Sequence, residues 1–425
     1  NDTGGYKHGW RVMANDTGRS GAHPLAQTPA PPDSVGSMSG PGRSENSLQR
    51  GFRGRLWAWR DRLLADPRIQ NWAVALPFLR PIANRRARSI FDLCIGFVHT
   101  QVVTVVVELG VLDALAASPK TAADIAGQTG LQLDPTERLL KAAVAINLLV
   151  RTSGDRYRLG ELGAALRGAP GVVEIIRHNQ VFYRDLSDPV ALLKGDIKQT
   201  ELSAYWPYAE GGEEVGSLDP EKTGAYTQLM AASQPFIADD VMAAFDFSKH
   251  KALLDVGGGD GTFAARIAGR HDALRVGTFD LGSVVRAAQS RFEREGLAAR
   301  ATAHAGDFHR DALPVGYDAI SLVRILLDHD DASVARLLSA VRAALQPGGR
   351  VLIAELMSDA RGAETITDAY FGLYLYAMGR GRPRSAARIS DLLSEAGFKN
   401  PREVGTRRML MTQLVVADAP DLHEN

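Results

Sequence analysis

Cysteine is almost absent from this chain of 425 residues, which contains only Cys94. One cysteine excludes an intramolecular disulfide framework and a metal cluster built on several thiolates, and it fits a reducing compartment. Because Cys94 lies in an apolar stretch, we expect it to be buried as a small hydrophobic residue. The ten histidines show no His-Glu-x-x-His pattern, so we predict no metal site.

An excess of charge of either sign is also missing. Lys plus Arg and Asp plus Glu each number 49, so no overall field favours nucleic acid as a partner. The longest uncharged apolar run, Leu93 to Val107, is shorter than the ~20 residues that a membrane span needs. Residues 1–50 lack the apolar core of a secretory signal. We therefore expect a cytoplasmic protein without a membrane span.

The N-terminal part changes character near residue 51. Residues 1–50 are rich in Gly, Ser, Pro, Asp and Asn, a composition that predicts a disordered extension. Residues 51–88 instead carry nine arginines interleaved with Trp57, Trp59, Trp72 and leucines. This basic amphipathic segment is typical either of a helix at a membrane surface or of a helix packed on its own domain with a solvated basic face.

Residues 89–210 read as an all-helical domain with a helix-turn-helix pattern and a short-stranded wing. Thr121 and Asp134-Pro135 are signals for the starts of two helices. DNA binding is disfavoured because Asp134, Glu137, Arg138 and Lys141 sum to zero charge on the second helix. The apolar residues of that helix favour dimerisation. A polar linker and helices follow over 211–250.

The segment Asp255-Val-Gly-Gly-Gly-Asp-Gly261 follows an apolar strand-like run and precedes a helix-like stretch. A strand that leads through glycines into a helix is how α/β folds bind nucleotides. In a dinucleotide enzyme this loop faces a pyrophosphate, which Asp255 would repel. The acid favours a ligand with a cationic amino group, such as S-adenosylmethionine, although residues 259–264 also match G-x-G-x-x-A.

Further strands and acids follow in the expected order. Asp280 ends the next strand about 20 residues past the glycines, where a ribose-binding carboxylate is expected. Gly306-Asp-Phe308 offers an acid and an aromatic ring for an adenine. Residues 317–323 form a fourth strand, and 345–355 a helix end, a Pro-Gly-Gly turn and a fifth strand. The sequence therefore predicts a doubly wound, mostly parallel sheet over 251–418, with antiparallel strands at its end.

These motifs resemble a known family. Residues 251–355 resemble the Rossmann-like domain of class I S-adenosylmethionine-dependent methyltransferases, and Asp61 to Asp418 resembles the small-molecule O-methyltransferases with an N-terminal winged-helix dimerisation domain. Within that family the chain is most similar to carotenoid O-methyltransferases of phototrophic purple bacteria. The residues that carry this likeness are Arg85 to Cys94, Phe182 to Val190 and Tyr370 to Ser385.

The resemblance implies a homodimeric enzyme that methylates a hydroxyl group of an acyclic carotenoid, with possible peripheral attachment to the inner or photosynthetic membrane. The alternatives are methylation of a polyketide or a bacteriochlorophyll precursor, a catalytically inactive S-adenosylmethionine-binding protein, or a winged-helix regulator. The residues expected to bind the cofactor are Asp255, Gly257, Gly259, Asp280, Asp307, Phe308 and Arg324.

The general base of the reaction is uncertain from the sequence. Plant members of the superfamily place a catalytic histidine at the position of Leu327. His329 is the nearest candidate for a base, another group such as His178 or Asp328 is a second possibility, and catalysis by positioning alone is a third. The residues expected to line the substrate pocket are Phe182, Tyr183, Met230, Phe236, Tyr370, Tyr374 and Met378.

Overall fold

The computed structural model describes residues 44–205, 234–408 and 412–421, with side chains from residue 54. Its contacts divide the chain into two units, residues 1–92 and 93–425. The extension expected to be disordered lies mostly outside the described residues, but its last seven residues are helical because the first helix begins at Ser44.

The first unit is helical. It contains α1 (Ser44–Ala65), α2 (Pro67–Ala75) and the start of α3 (Arg80–Glu108). Asp66 caps α2, since its carboxylate accepts a hydrogen bond of 2.8 Å from the backbone N–H of Arg68. No residue of α2 is buried, and Trp57, Trp59 and Trp72 are all exposed. This basic, Trp-rich segment therefore presents its large apolar side chains on the surface of its unit.

Helix α3 differs from the sequence prediction in two ways. By length and composition it is the one helix in the described part of the chain that could cross a bilayer, whereas the uncharged run alone seemed too short. Only Thr104 and Val106 of this helix are buried. The prediction that Cys94 is buried is wrong, because its side chain is exposed.

A small domain follows α3, and its three-stranded antiparallel sheet has the order β1-β3-β2. Its elements are α4 (Val111–Ala114), β1 (Lys120–Thr121), α5 (Ala122–Thr129), α6 (Leu133–Ala145), β2 (Leu149–Thr152), β3 (Arg156–Leu159) and α7 (Glu161–Arg167). The Thr121 side chain and Asp124 form the capping box that starts α5. On α6, Arg138 pairs with Asp134 and Lys141 with Glu137, so both cations of that helix are neutralised.

Four helices lead towards the large sheet. They are α8 (Pro170–Asp185), α9 (Pro189–Lys194), α10 (Glu201–Tyr205) and α11 (residues 234–244). The buried carboxylate of Asp185 accepts hydrogen bonds from the backbone N–H groups of Glu201 and Leu202, at 2.7 and 2.9 Å. These bonds fix the start of α10 beside the end of α8.

The large sheet has seven strands in the order β6-β5-β4-β7-β8-β10-β9, and its first five are parallel. The strands are β4 (Ala252–Val256), β5 (Arg275–Asp280), β6 (Ala301–Ala305), β7 (Tyr317–Val323), β8 (Leu345–Glu355), β9 (Lys399–Val404) and β10 (Gln413–Asp418). Strands β9 and β10 are antiparallel to their neighbours. The predicted doubly wound sheet and its closing antiparallel strands are confirmed.

Helices connect the strands and cover both faces of the sheet. They are α12 (Thr262–Ala268), α13 (Gly282–Arg294), α14 (Asp331–Ala344), α15 (Gly372–Met378) and α16 (Ala386–Glu395), and a π-helical turn over Thr365–Phe371 precedes α15. Successive residues of a strand point to opposite faces, so Leu253 and Leu254 of β4 belong to two different core clusters. This arrangement explains why the central strands read as continuous apolar runs.

Candidate functional site

The loop after β4 is shaped by three glycines. Gly257, Gly259 and Gly261 have φ angles of +71°, +60° and +74°, which side chains rarely tolerate. A Cβ atom at Gly257 would collide with the side chain of Ile325, whereas nothing lies within 4 Å of one at Gly259. The loop is therefore packed at one end and open at Gly259, where a ligand can approach the backbone closely.

Asp255 lies beneath this loop. One carboxylate oxygen accepts a hydrogen bond of 2.7 Å from the Ser321 hydroxyl, and the other is buried without a hydrogen-bond partner in the described structure. Burial raises the pKa of Asp255 to about 7, the Ser321 hydrogen bond lowers it, and the charge of Asp280 raises it further. The oxygen without a hydrogen-bond partner lies directly beneath the backbone of Gly258. Asp255 therefore supports the glycine loop from the interior of the protein.

Asp280 ends β5 and reaches the same loop. Its two carboxylate oxygens accept hydrogen bonds from the backbone N–H groups of Gly259, at 2.8 Å, and Leu281, at 2.7 Å. Burial raises its pKa, and these two bonds oppose that rise. Each oxygen keeps a further lone pair, so the carboxylate can still accept hydrogen bonds from the hydroxyl groups of a ribose.

The turn after β6 brings together an acid and several rings. The Asp307 carboxylate accepts a hydrogen bond of 2.8 Å from the His309 backbone N–H, and the Asp311 carboxylate accepts one of 2.8 Å from the backbone N–H of Asp307. The Phe308 ring lies 4.5 Å from the His309 ring and 5.4 Å from the His329 ring, between centroids. The predicted adenine contact and the predicted base are therefore neighbours.

The chain turns sharply after β7. Arg324 adopts a φ of +59°, and Glu355 accepts hydrogen bonds from the next three backbone N–H groups, those of Ile325, Leu326 and Leu327. These bonds satisfy donors that would otherwise be buried without partners. They also direct the Leu327 side chain into the aromatic cluster described below.

The acids of this turn have perturbed pKa values. Burial raises the pKa of partly buried Asp328, the charge of Glu355 raises it further, and Arg324 opposes the rise. Burial also raises the pKa of Glu355, which its backbone hydrogen bonds oppose. Burial and then the charge of His309 lower the pKa of His329 to about 4, which makes its imidazole neutral across the physiological range.

Four predicted pocket residues meet in one cluster. The Phe182 ring stands edge-on to Tyr374 and Tyr370, with centroids 5.5 and 5.9 Å away, and the two tyrosines stack at 5.8 Å. We call this group the aromatic cluster; its members are Val181, Phe182, Leu186, Leu192, Ile197, Leu202, Leu327, Tyr370, Phe371, Tyr374, Leu375, Ala377 and Met378. It joins α8 to the π-helical turn and α15, and π-turns often occur at functional sites.

Two polar pairs border the aromatic cluster, and the sequence did not predict their pairing. His178 Nε2 lies 2.8 Å from the Tyr374 hydroxyl, and the Tyr370 hydroxyl donates a hydrogen bond of 2.7 Å to Asn179 Oδ1. Both members of the first pair are at most 9% exposed. Burial lowers the pKa of His178 and raises that of Tyr370.

The remaining predicted pocket residues are placed differently. The Phe236 ring contacts the guanidinium of Arg408, 5.4 Å from its centroid, and does not belong to the aromatic cluster. Tyr183 is partly buried on α8, next to Phe182. Met230 lies outside the described residues. The structure thus assembles Phe182, Tyr370, Tyr374 and Met378 but gives Phe236 another contact.

Two family models together match most of the chain. A model described as the O-methyltransferase domain matches residues 183–399, and one described as the O-methyltransferase dimerisation domain matches residues 91–167. The second match spans the small domain with the three-stranded sheet, and the first includes the glycine loop and the members of the aromatic cluster from Leu186 onward. The matched domains agree in order with the predicted ones.

This chain is similar to known proteins along most of their length. The chain is 42% identical to the demethylspheroidene O-methyltransferase of Cereibacter sphaeroides, over 84% of this chain and 94% of the relative. For the Rhodobacter capsulatus protein of the same name the identity is 37%, over 84% and 88%. The mitomycin 7-O-methyltransferase structure aligns with a TM-score of 0.66 at 24% identity, covering 80% of this chain and 100% of that one, and shows the same fold.

Proposed function

We propose that this chain, which belongs to the S-adenosylmethionine-dependent O-methyltransferases, methylates a hydroxyl group of an acyclic carotenoid of the demethylspheroidene type. The observation that carries the proposal is the identity of 42% and 37% to two demethylspheroidene O-methyltransferases, each over 84% of the chain. The match to a dimerisation domain supports a homodimer.

The aromatic cluster supports an apolar substrate. Its rings and aliphatic side chains form a surface on which a polyene can pack, and apolar surface removed from water contributes about 25 cal/mol per Å². Methyl transfer from a sulfonium to a neutral alcohol also suits such surroundings, because the positive charge of the sulfonium is dispersed in the transition state and no additional net charge is created.

The glycine loop and its carboxylates fit S-adenosylmethionine, which supplies an electrophilic methyl group when bound. We assign Asp280 to the ribose hydroxyls, Phe308 to the adenine ring and the open backbone at Gly259 to the rest of the nucleoside. Asp307 shapes the turn that carries Phe308. Asp255 contributes negative charge beneath the loop, on the side of a cationic amino group, and Arg324 places the turn that follows β7.

The test uses purified full-length protein. S-adenosylmethionine and a hydroxylated acyclic carotenoid in mixed micelles should give a product heavier by one methylene group, detected by mass spectrometry. A hydroxynaphthoate and a bacteriochlorophyll precursor serve as competing substrates. Faster turnover of either competitor would assign the enzyme to another substrate class, and S-adenosylhomocysteine binding without methylation of any of them would indicate an inactive binding protein.

We further propose that residues 51–88 attach the enzyme peripherally to an anionic membrane. A carotenoid resides in the bilayer, and the segment offers exposed Trp57, Trp59 and Trp72 beside arginines. Interfacial tryptophans and basic residues are the usual elements of such attachment. This proposal places the protein on the cytoplasmic side of the inner or photosynthetic membrane.

A further inference from the structure

We propose that His178 and Tyr374 form the relay that accepts the proton of the substrate hydroxyl. Tyr374 would contact the hydroxyl directly, and His178 would receive the proton through it. This inference rests on the proposed function, because it assumes an alcohol that loses a proton on methylation. It adds two named residues to that function.

The position of the pair supports the assignment. Ile325 packs against Gly257 of the cofactor loop, and Leu327, two residues further along the same turn, belongs to the aromatic cluster together with Tyr374. The turn after β7 therefore connects the cofactor loop to the cluster that contains Tyr374, whose hydroxyl lies 2.8 Å from His178 Nε2. For this relay, the substrate alcohol lies in the same cluster, close to the phenol.

The chemistry of the pair allows a balanced step. The substrate oxygen forms its bond to the donated methyl carbon with a lone pair, and the electron pair of the broken carbon–sulfur bond stays on sulfur. The alcohol proton passes to Tyr374 Oη while the Tyr374 proton passes to His178 Nε2. The products are a neutral ether, a neutral thioether, a restored phenol and an imidazolium.

The demand on the base is modest. An aliphatic alcohol does not ionise beforehand, but its proton becomes strongly acidic as the new C–O bond forms. A weak, neutral imidazole is sufficient at that stage. Burial keeps His178 neutral by lowering its pKa, and a phenol oxygen can donate one hydrogen bond and accept another at the same time.

The groups described around His178 include one phenol and several exposed ion pairs. The Tyr374 phenol faces it, with Oη 2.8 Å from Nε2, and the Tyr374 ring stacks on that of Tyr370. On α8, Arg177 forms exposed ion pairs with Glu174 and with Glu108, and Arg184 pairs with Glu201. Burial lowers the pKa of His178.

The other candidates for a base lie elsewhere. The His329 ring contacts those of Phe308 and His309, 5.4 and 5.1 Å away, which places it on the side assigned to adenine. Asp328 is close enough to Glu355 for their charges to interact. Neither side chain belongs to the aromatic cluster in the described structure.

The experiment measures kcat against pH for the full-length enzyme and its variants with the carotenoid alcohol. The wild type should lose activity at acidic pH, where His178 is protonated. His178→Gln keeps a hydrogen-bonding group but cannot take up a proton, so kcat should fall ~10²-fold or more and the acidic limb should disappear. Tyr374→Phe should lower kcat similarly, with little change in KM for either substrate.

Matched controls exist within the chain. His304 and Tyr317 form a second pair with the same 2.8 Å distance, and Tyr376 lies on α15 with an exposed ring. His304→Gln and Tyr376→Phe should keep the wild-type kcat and its acidic limb. S-adenosylhomocysteine binding by calorimetry should be unchanged in all four variants, which excludes a general loss of structure.

An NMR measurement that does not require catalytic turnover completes the test. In the protein free of cofactor, the ¹⁵N chemical shift of His178 Nε2 should report a hydrogen bond that Tyr374→Phe removes and Tyr376→Phe retains. If Tyr374→Phe leaves that resonance and kcat unchanged, or if His329→Ala rather than His178→Gln abolishes the acidic limb, the relay is wrong. A wild type that methylates no hydroxylated carotenoid would instead refute the proposed function.

Discussion

At the scale of single residues, two carboxylates at neighbouring strand ends have different tasks. Asp255 is completely buried and supports the loop, whereas Asp280 is partly exposed and joins the loop to β5 through its hydrogen bond to Gly259. The Asp280 carboxylate, which would accept hydrogen bonds from a bound ribose, is already oriented by the N–H groups of Gly259 and Leu281. Pre-orientation of this kind reduces the entropic cost of binding.

We expect Asp280→Ala to weaken S-adenosylhomocysteine binding by ~1–3 kcal/mol, because a charge-assisted contact to the ribose is lost. Isothermal calorimetry measures the change. Asp318→Ala is the control: its carboxylate also accepts backbone hydrogen bonds, from Lys251 and Ala252, but at the other end of β4. Equal loss of affinity in both variants, or tighter binding of NADH than of S-adenosylhomocysteine, would contradict the assignment.

At the scale of elements, the sequence located the strands well. The expected strand 317–323 is β7 without change. Central parallel strands are buried on both faces, so a continuous apolar run is sufficient to find them. The side of a surface helix that is covered cannot be read in the same way, which is why the expectation for Cys94 on α3 was wrong.

The candidate site shows the same limit. The residues proposed to bind the cofactor lie in local motifs at strand ends, so their spacing was sufficient to predict them. His178 and Tyr374 are 196 residues apart, and a single sequence contains no signal that joins two such side chains. Phe236 was predicted to line the pocket together with other aromatic residues, and the structure places its ring beside Arg408.

Strand β4 carries a buried acid whose effect on stability depends on pH. The pKa of Asp255 is raised from 3.8 to about 7 in the folded protein, so the folded state binds the proton more tightly than the unfolded state. Stability is therefore lost as pH rises through this window. The Asp255→Asn variant has an isosteric, uncharged side chain, so its free energy of unfolding should not fall in this way as pH rises.

Thermal midpoints of wild type and Asp255→Asn, measured without cofactor between pH 4 and 8, should diverge in favour of the variant as pH rises. The expected growth of the difference is on the order of a few kcal/mol in unfolding free energy. A difference that stays constant across this range would mean that Asp255 is ionised in the folded protein at all of these pH values.

At the scale of the whole molecule, the two units have different surfaces. The second unit covers both faces of its sheet, whereas the first exposes Trp57, Trp59 and Trp72, each more than half accessible, beside its arginines. Exposed apolar side chains grouped with one sign of charge mark an interaction surface. The dimerisation match begins at residue 91, so it does not account for the segment 51–88.

We therefore expect the full-length protein to sediment with anionic vesicles at low salt and to be released as salt rises, because each basic residue near such a surface contributes about 1 kcal/mol that ions screen. Replacing Trp57, Trp59 and Trp72 by serine should reduce binding at least tenfold, since the interfacial rings are removed. The matched control replaces Val190, Leu193 and Val315, which are 55–75% exposed in the second unit. If both triple variants bind alike, or if the wild type binds neutral and anionic vesicles equally, the segment is not the membrane anchor and the carotenoid must reach the aromatic cluster by another route.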